Sequence, residues 1–90
     1  LRKKKYGKYA TAIPYPFTLQ VGDYGSLTDA KVMLESLRKL GYSGFLLVSY
    51  EESTGARFKV IVGAFKMEEN AIWMMKRLSK SGLKSYLVAP

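Results

Sequence analysis

Few side chains in this chain are of the types that usually carry catalysis, because it contains no cysteine and no histidine. Thiol nucleophiles, histidine acid–base chemistry and the common zinc sites are therefore excluded. The paired carboxylates are Glu51 with Glu52 and Glu68 with Glu69. Sequence neighbours rarely converge on one substrate, and a solvated turn and a helix N-terminus explain the two pairs more simply. No nucleophile elbow, phosphate-binding glycine loop or metal-ligand spacing occurs. We therefore predict a binding module and not an enzyme, with no metal and no cofactor.

Positive charge is concentrated near the amino terminus of the chain. The sequence has 15 basic and 7 acidic residues, for a net charge of +8. Five of the basic residues precede residue 13, with no acid among them: Arg2, Lys3, Lys4, Lys5 and Lys8. We interpret residues 1–14 as a basic flexible linker; the alternative is an arm that reaches a polyanion or an anionic lipid. Residues 15–90, the predicted domain, are only mildly basic, which weakens the case for a nucleic-acid partner.

The two halves of the sequence repeat each other at a constant offset of 41 residues. Each half reads strand, glycine-containing turn, helix, glycine, strand. Two such halves predict an α+β fold of the ferredoxin-like βαββαβ type, with a four-stranded antiparallel sheet, two helices on one face and an internal two-fold repeat. The matched pairs of identical residues include Phe17/Phe58, Val21/Val62, Gly22/Gly63, Ala30/Ala71, Met33/Met74, Leu37/Leu78 and Gly41/Gly82.

The spacing of apolar residues predicts which side of each element is buried. Phe17, Leu19 and Val21 alternate with polar residues, which is typical of a strand with one buried face. Two segments with helical spacing predict two amphipathic helices that each end at a glycine, and Ser26 or Thr28 is expected to cap the first. The predicted buried helix positions are Ala30, Met33, Leu34, Leu37, Leu40, Ala71, Met74, Met75 and Leu78.

Helices that cover one face of a sheet leave the other face open. The second and fourth strands are almost wholly apolar, so we set their phase from the repeat, which aligns Phe45 with Tyr86. This outer face is more apolar than exposure to solvent alone favours, which indicates a binding surface. The residues predicted to face outward are Thr18, Gln20, Phe45, Leu47, Arg57, Lys59, Ile61, Tyr86 and Val88.

Two strings, FTLQVGDY at Phe17–Tyr24 and FKVIVGAF at Phe58–Phe65, are each followed by a helix and a terminal glycine. Their order, spacing and internal repeat resemble the sporulation-related repeat, or SPOR, domain, over about residues 15–89. The resemblance implies binding of bacterial cell-wall peptidoglycan, with a preference for glycan strands denuded of stem peptides at the division septum. Family members are terminal modules of division proteins and cell-wall enzymes. We therefore expect a monomeric module in the cell envelope, in the periplasm or at the outer face of the inner membrane, with no nucleic-acid partner.

The resemblance also implies a glycan site on the open sheet face. The strand-one glutamine of the family pattern falls on Gln20, and Asp23 stands where serine is usual. Tyr24 is the aromatic residue that follows, and Lys59 replaces an arginine on strand three. The implied glycan-binding residues are Gln20, Asp23, Tyr24, Phe45, Arg57, Lys59, Ile61 and Tyr86.

The chemistry of these residues agrees with a sugar ligand, since a sugar ring has an apolar face and a polar edge. The apolar floor would consist of Phe45, Leu47, Ile61 and Tyr86, and the amide of Gln20 both donates and accepts hydrogen bonds. Lys59 and Arg57 would pair with the lactyl carboxylate that amide cleavage leaves on muramic acid. Asp23 is unfavourable near an anion and is expected to cap the turn, while Tyr24 and Phe65, as repeat mates, are expected to pack in the core.

The main alternative is an RNA-binding module of the RRM type, which has the same element order. Such modules carry stacking aromatic residues in the open phase of strands one and three, whereas Phe17 and Phe58 fall in the buried phase here. The RRM signature sequence is also absent. A regulatory small-molecule domain of the same topology is a second alternative, and it predicts dimerisation. Trp73, just off the buried stripe of the second helix, is expected to be a half-buried packing residue.

Overall fold

The computed structural model describes residues 16–89, so the predicted linker lies outside the described residues. The elements in chain order are β1 (Phe17–Tyr24), α1 (Leu27–Lys39), β2 (Gly44–Glu51), β3 (Gly55–Phe65), α2 (Glu68–Lys80) and β4 (Tyr86–Val88). The strands form one four-stranded sheet in the order β2-β3-β1-β4, and every neighbouring pair is antiparallel. This confirms the predicted ferredoxin-like βαββαβ fold. Within residues 16–89 no helix is long and apolar enough to cross a bilayer.

Both helices end in the same way, as the repeat predicts. Gly41 has φ +91° and Gly82 has φ +85°, the left-handed conformation that follows a helix. The residue after each glycine donates its N–H to a carbonyl five residues back, at 2.9 Å in both halves. The helix starts differ between the halves. The hydroxyl of Ser26 accepts from the backbone N–H of Asp29 at 3.4 Å, which selects Ser26 as the cap of α1.

The core lies between the sheet and the two helices. Leu40 was expected there, but it is 49% exposed. It is the C-cap residue of α1, beyond the last turn that packs on the sheet, so the buried stripe ends one turn earlier at Leu37. The buried core consists of Leu19, Val21, Ala30, Leu37, Val60, Val62, Ala71 and Leu78, with Met33, Leu34, Met74 and Met75 packed against it.

Two β-bulges interrupt the pairing of the central strands, and they lie at equivalent places in the two halves. Thr18 pairs with Ala64 but Gln20 pairs with Ile61, so β3 carries an extra residue beside Gly63. The next pair is Gly22 with Val60, so β1 carries the compensating extra residue. Each bulge reverses the alternation of side chains. The residues directly after the glycines, Asp23 and Ala64, therefore face the open side of the sheet, and the next ones, Tyr24 and Phe65, face the helices.

Candidate functional site

The centre of the open face is a row of four residues, one from each strand. Phe45 is the partner of Ile61, Ile61 of Gln20, and Gln20 of Tyr86. Direct partners of an antiparallel sheet share a face, so the four predicted residues are brought together. The same row shows that Phe45 and Tyr86 of the two outer strands face outward. This agrees with the repeat, which aligns these two residues.

The exposure of the row differs between its ends and its middle. Phe45 is 38% exposed and Tyr86 is 57% exposed, while Ile61 is 2% exposed. Ile61 therefore supports the row from beneath its neighbours and offers little surface to a ligand. Gln20 is half-buried, beside Ile61 on one side and Tyr86 on the other. The row is thus a shallow apolar surface with aromatic ends and one amide near its centre. Thr18, also predicted to face outward, is buried at 8% exposure.

A second row lies beside the first and carries the charges. Leu47 is the partner of Lys59, and Lys59 is the partner of Asp23. Asp23 reaches this face because of the bulge beside Gly22; strict alternation from Gln20 would have turned it to the helices. Lys59 is half-buried, and no ion pair involving it occurs within residues 16–89.

Arg57 and Asp23 are bound to each other on the open face. Nε of Arg57 donates to Oδ1 of Asp23 at 3.0 Å, and its Nη2 donates to the Asp23 carbonyl at 3.3 Å. The expectation that Asp23 caps the turn is therefore corrected: its carboxylate is the partner of Arg57. This pairing offsets the negative charge of Asp23, and it leaves Lys59 as the cation of the second row without a carboxylate partner among the described residues.

Tyr24 lies apart from the other predicted site residues. It pairs with Phe58 and packs against the core on the helix side. Its ring covers Gly22, where a Cβ atom would overlap the ring, and Phe65 covers Gly63 in the same way, with its ring 2.7 Å from an added Cβ. The two aromatic residues are core residues, as their symmetry predicted.

Ser49 belongs to the open face, although the sequence-based set of outward residues did not include it. It is the partner of Arg57, and its Oγ is buried without a hydrogen-bond partner among the described residues. Continuing the alternation of Phe45 and Leu47 by one step would have found it. No group of histidine, cysteine, aspartate or glutamate suited to a metal ion occurs within residues 16–89.

One concave region of the structure lies on the helix side, away from the open face. A cavity of about 510 Å³ lies between α1 and the start of β2, lined by Lys31, Leu34, Glu35, Arg38, Tyr42, Ser43 and Gly44. None of the predicted site residues lines it. The candidate site is the row that runs across all four strands, an extended shallow surface that suits a chain-like ligand better than a small molecule.

Comparisons with known proteins agree with this geometry. The sequence model of the SPOR domain family matches residues 14–89. The solution structure of the peptidoglycan binding domain of the B. subtilis cell wall lytic enzyme CwlC is similar to this fold, with a TM-score of 0.68 and 20% sequence identity. The similarity covers 82% of this chain and 87% of that domain. No curated protein matches the chain.

Proposed function

Because the chain belongs to the SPOR domain family, we propose that it is a non-catalytic module that binds bacterial peptidoglycan through the open face of its sheet. The observation that carries this proposal is the row Phe45–Ile61–Gln20–Tyr86, which runs across all four strands. An apolar surface with aromatic ends suits the apolar faces of successive sugar rings. The amide of Gln20 supplies both a donor and an acceptor for N-acetyl groups and hydroxyls.

Arg57 and Lys59, the two cations that were expected to bind a carboxylate, have different surroundings on the open face. Arg57 is held by two hydrogen bonds to Asp23, so its charge is largely offset and it positions Asp23. Lys59 has no such partner among the described residues. We therefore assign the lactyl carboxylate of muramic acid to Lys59. That carboxylate is free only where the stem peptide has been removed.

This chemistry favours denuded glycan over strands that carry stem peptides, for two reasons. Amide cleavage creates the anion that Lys59 binds, and a bulky peptide at the same position would collide with the sheet surface. Denuded strands arise where amidases act, so the module is expected to gather at the division septum. The corresponding location is the cell envelope. A single domain presents the whole row, so the proposed binding requires only a monomer.

The placement of aromatic residues weighs against the RNA-binding alternative. Phe17 and Phe58, at the positions where an RRM-type module needs outward stacking rings on its central strands, both pack against the core. The open positions of those strands carry Gln20, Lys59 and Ile61 instead.

The test is co-sedimentation of the protein with peptidoglycan sacculi before and after amidase treatment. We expect stronger pelleting with treated sacculi. Lys59→Ala should weaken that binding about ten-fold, the loss typical of one charged hydrogen bond. Gln20→Ala should weaken binding to both kinds of sacculi, because sugar hydroxyls and N-acetyl groups are present in both.

Matched controls come from the exposed side of the helices. Lys31→Ala removes a lysine and Asn70→Ala removes an amide, each at an exposed helix position away from the sheet. Both variants should bind like the parent protein. Normal binding by folded Gln20→Ala/Lys59→Ala would contradict this site. Equal pelleting with treated and untreated sacculi would contradict the preference for denuded glycan.

A further inference from the structure

The outer face of α2 carries a tryptophan and three cations at helical spacing. Trp73, Lys76, Arg77 and Lys80 are at positions i, i+3, i+4 and i+7, and all four are exposed. This set, here called the cationic face, lies opposite the buried Ala71 and Leu78 of the same helix. Trp73 is 57% exposed, which corrects the expectation of a half-buried packing residue. Its position is the outermost one of the helix, so it contributes little to the core.

Arg77 is held against the tryptophan and towards the end of the other helix. Its guanidinium carbon lies 5.0 Å from the centre of the Trp73 ring, within the range of a cation–π contact. Tyr42, which follows α1, has its hydroxyl 3.4 Å from Oγ of Ser81. The hydrogen bond with Ser81, followed by the influence of Arg77, holds the pKa of Tyr42 below its ordinary value. The charge of Arg77 therefore lies at the surface beside an exposed aromatic ring.

An exposed apolar side chain borders the cationic face. Ile72, the neighbour of Trp73, is 37% exposed. Glu68 and Glu69 occupy the first turn, so the positive charge is confined to the C-terminal half of the helix. Exposed apolar groups next to cations are costly in water but favourable at a membrane surface, where tryptophan lies at headgroup level and lysine and arginine meet lipid phosphates.

We propose that the cationic face of α2 binds an anionic lipid surface, with Trp73 in the interfacial region and Lys76, Arg77 and Lys80 on lipid phosphates. Charge complementarity selects this partner, and the exposed Ile72 favours a membrane over a nucleic acid, which offers no apolar layer to that side chain. The helices lie on the side of the sheet opposite the proposed glycan face. This inference therefore goes beyond the proposed function, and one module would contact wall and membrane at the same time.

Trp73 is the only tryptophan of the chain, so its fluorescence reports this face alone. The experiment titrates the protein with vesicles of phosphatidylglycerol and, separately, of phosphatidylcholine. We expect a blue shift of the emission with the anionic vesicles and none with the zwitterionic ones. Each cation near the surface contributes about five-fold to partitioning, so Lys76→Gln/Lys80→Gln should weaken it by about 25-fold.

The matched control is Lys31→Gln/Lys39→Gln, which removes two exposed lysines from α1 and lowers the net charge equally. It should retain most of the partitioning, and Lys76→Gln/Lys80→Gln should still pellet with sacculi, which separates this inference from the proposed function. Co-sedimentation with anionic vesicles without a blue shift would overturn the inference, because a part of the chain other than the cationic face, such as the basic residues 1–14, would then carry the binding. An equal loss in both double variants, or a Trp73 response to an RNA oligonucleotide but not to vesicles, would also overturn it.

Discussion

The two halves of the repeat share the main features that build the fold and differ in the side chains that they place on the open face. Each half has a strand with a bulge at its glycine, an aromatic ring over that glycine, and a helix ended by a second glycine. The residues that face outward at equivalent positions are different: Gln20 in the first half corresponds to Ile61 in the second, and Asp23 corresponds to Ala64. The positions that the two halves share thus build the fold, whereas the positions at which they differ lie on the proposed glycan face.

The central row makes this difference visible at one place. Across the sheet the row consists of an aromatic residue, Ile61, Gln20 and a second aromatic residue. The two central residues occupy equivalent positions of the repeat and are also direct partners in the sheet. The local two-fold axis therefore passes between them. A symmetric row would offer two amides or none, whereas this one offers an amide beside a buried aliphatic residue. If the row binds glycan as proposed, this asymmetry gives the glycan chain a direction along the row.

The largest expected effect comes from replacing the core leucines, which tests whether the two halves contribute equally to the core. Leu37 and Leu78 are repeat mates and both are 0% exposed. Leu37→Ala and Leu78→Ala should each destabilise the fold by about 2–5 kcal/mol, measured by urea unfolding, because each leaves a cavity in the same core. Leu40→Ala is the control, since Leu40 is 49% exposed and should cost well under about 1 kcal/mol. A cost for Leu40→Ala as large as that for Leu37→Ala would contradict the assigned end of the buried stripe.

The next effect concerns the glycines beneath the two aromatic rings. Gly63 has φ +81°, whereas Gly22 does not have a positive φ. An added Cβ meets a ring at both positions, but only alanine at Gly63 also adopts the left-handed conformation, which costs about 1–2 kcal/mol. Gly63→Ala should therefore lower the free energy of unfolding by about that much more than Gly22→Ala. Equal losses in urea titrations would show that the rings alone determine the cost.

The sequence was sufficient for those features that depend on local pattern. The glycine after each helix predicted where the two helices end. The repeat predicted the phase of the apolar second and fourth strands by aligning Phe45 with Tyr86. Period-two alternation predicted that Gln20 faces outward. All of these follow from spacing within a few residues or from the offset between the halves.

The sequence was not sufficient where two distant segments decide the outcome. A bulge is a property of a strand pair, so the reversal that brings Asp23 to the open face cannot be read from β1 alone. The partner of Asp23 is Arg57, 34 residues away. The exposure of Trp73 likewise depends on how far the packed sheet extends beneath α2. In each case the missing information is a contact between segments that are distant in the sequence.

A smaller effect separates the N-termini of the two helices. The hydroxyl of Ser26 caps α1, whereas Met67, in the same extended conformation before α2, makes no capping hydrogen bond. Ser26→Ala should cost about 1 kcal/mol in thermal or urea unfolding, and Met67→Ser should stabilise the fold by up to about the same amount. Met67 is 50% exposed, so little burial is lost on its replacement. Destabilisation by Met67→Ser would mean that the packing lost with the methionine side chain outweighs the capping hydrogen bond gained with serine.

The smallest effect lies on the outer surface of the helices, where the halves differ in charge. In α1, Nε of Arg38 donates to Oε1 of Glu35 at 3.1 Å, while Lys76 and Ser79 occupy the equivalent positions of α2. The hydrogen bond from Arg38, with its positive charge, lowers the pKa of Glu35 below its ordinary value of 4.5. A lowered pKa in the folded state stabilises the fold above the pKa of the unfolded chain, and that contribution disappears as pH falls through the folded pKa.

An NMR titration of the Glu35 carboxyl group measures this directly. We expect its midpoint below 4.5 in the parent protein and a return towards that value in Arg38→Gln. The stability difference between the parent and Glu35→Gln should be small, because the pair is exposed to solvent. It should be present at neutral pH and absent below the folded midpoint. An unchanged midpoint in Arg38→Gln would assign the shift to Lys39 and remove this contrast between the two helices.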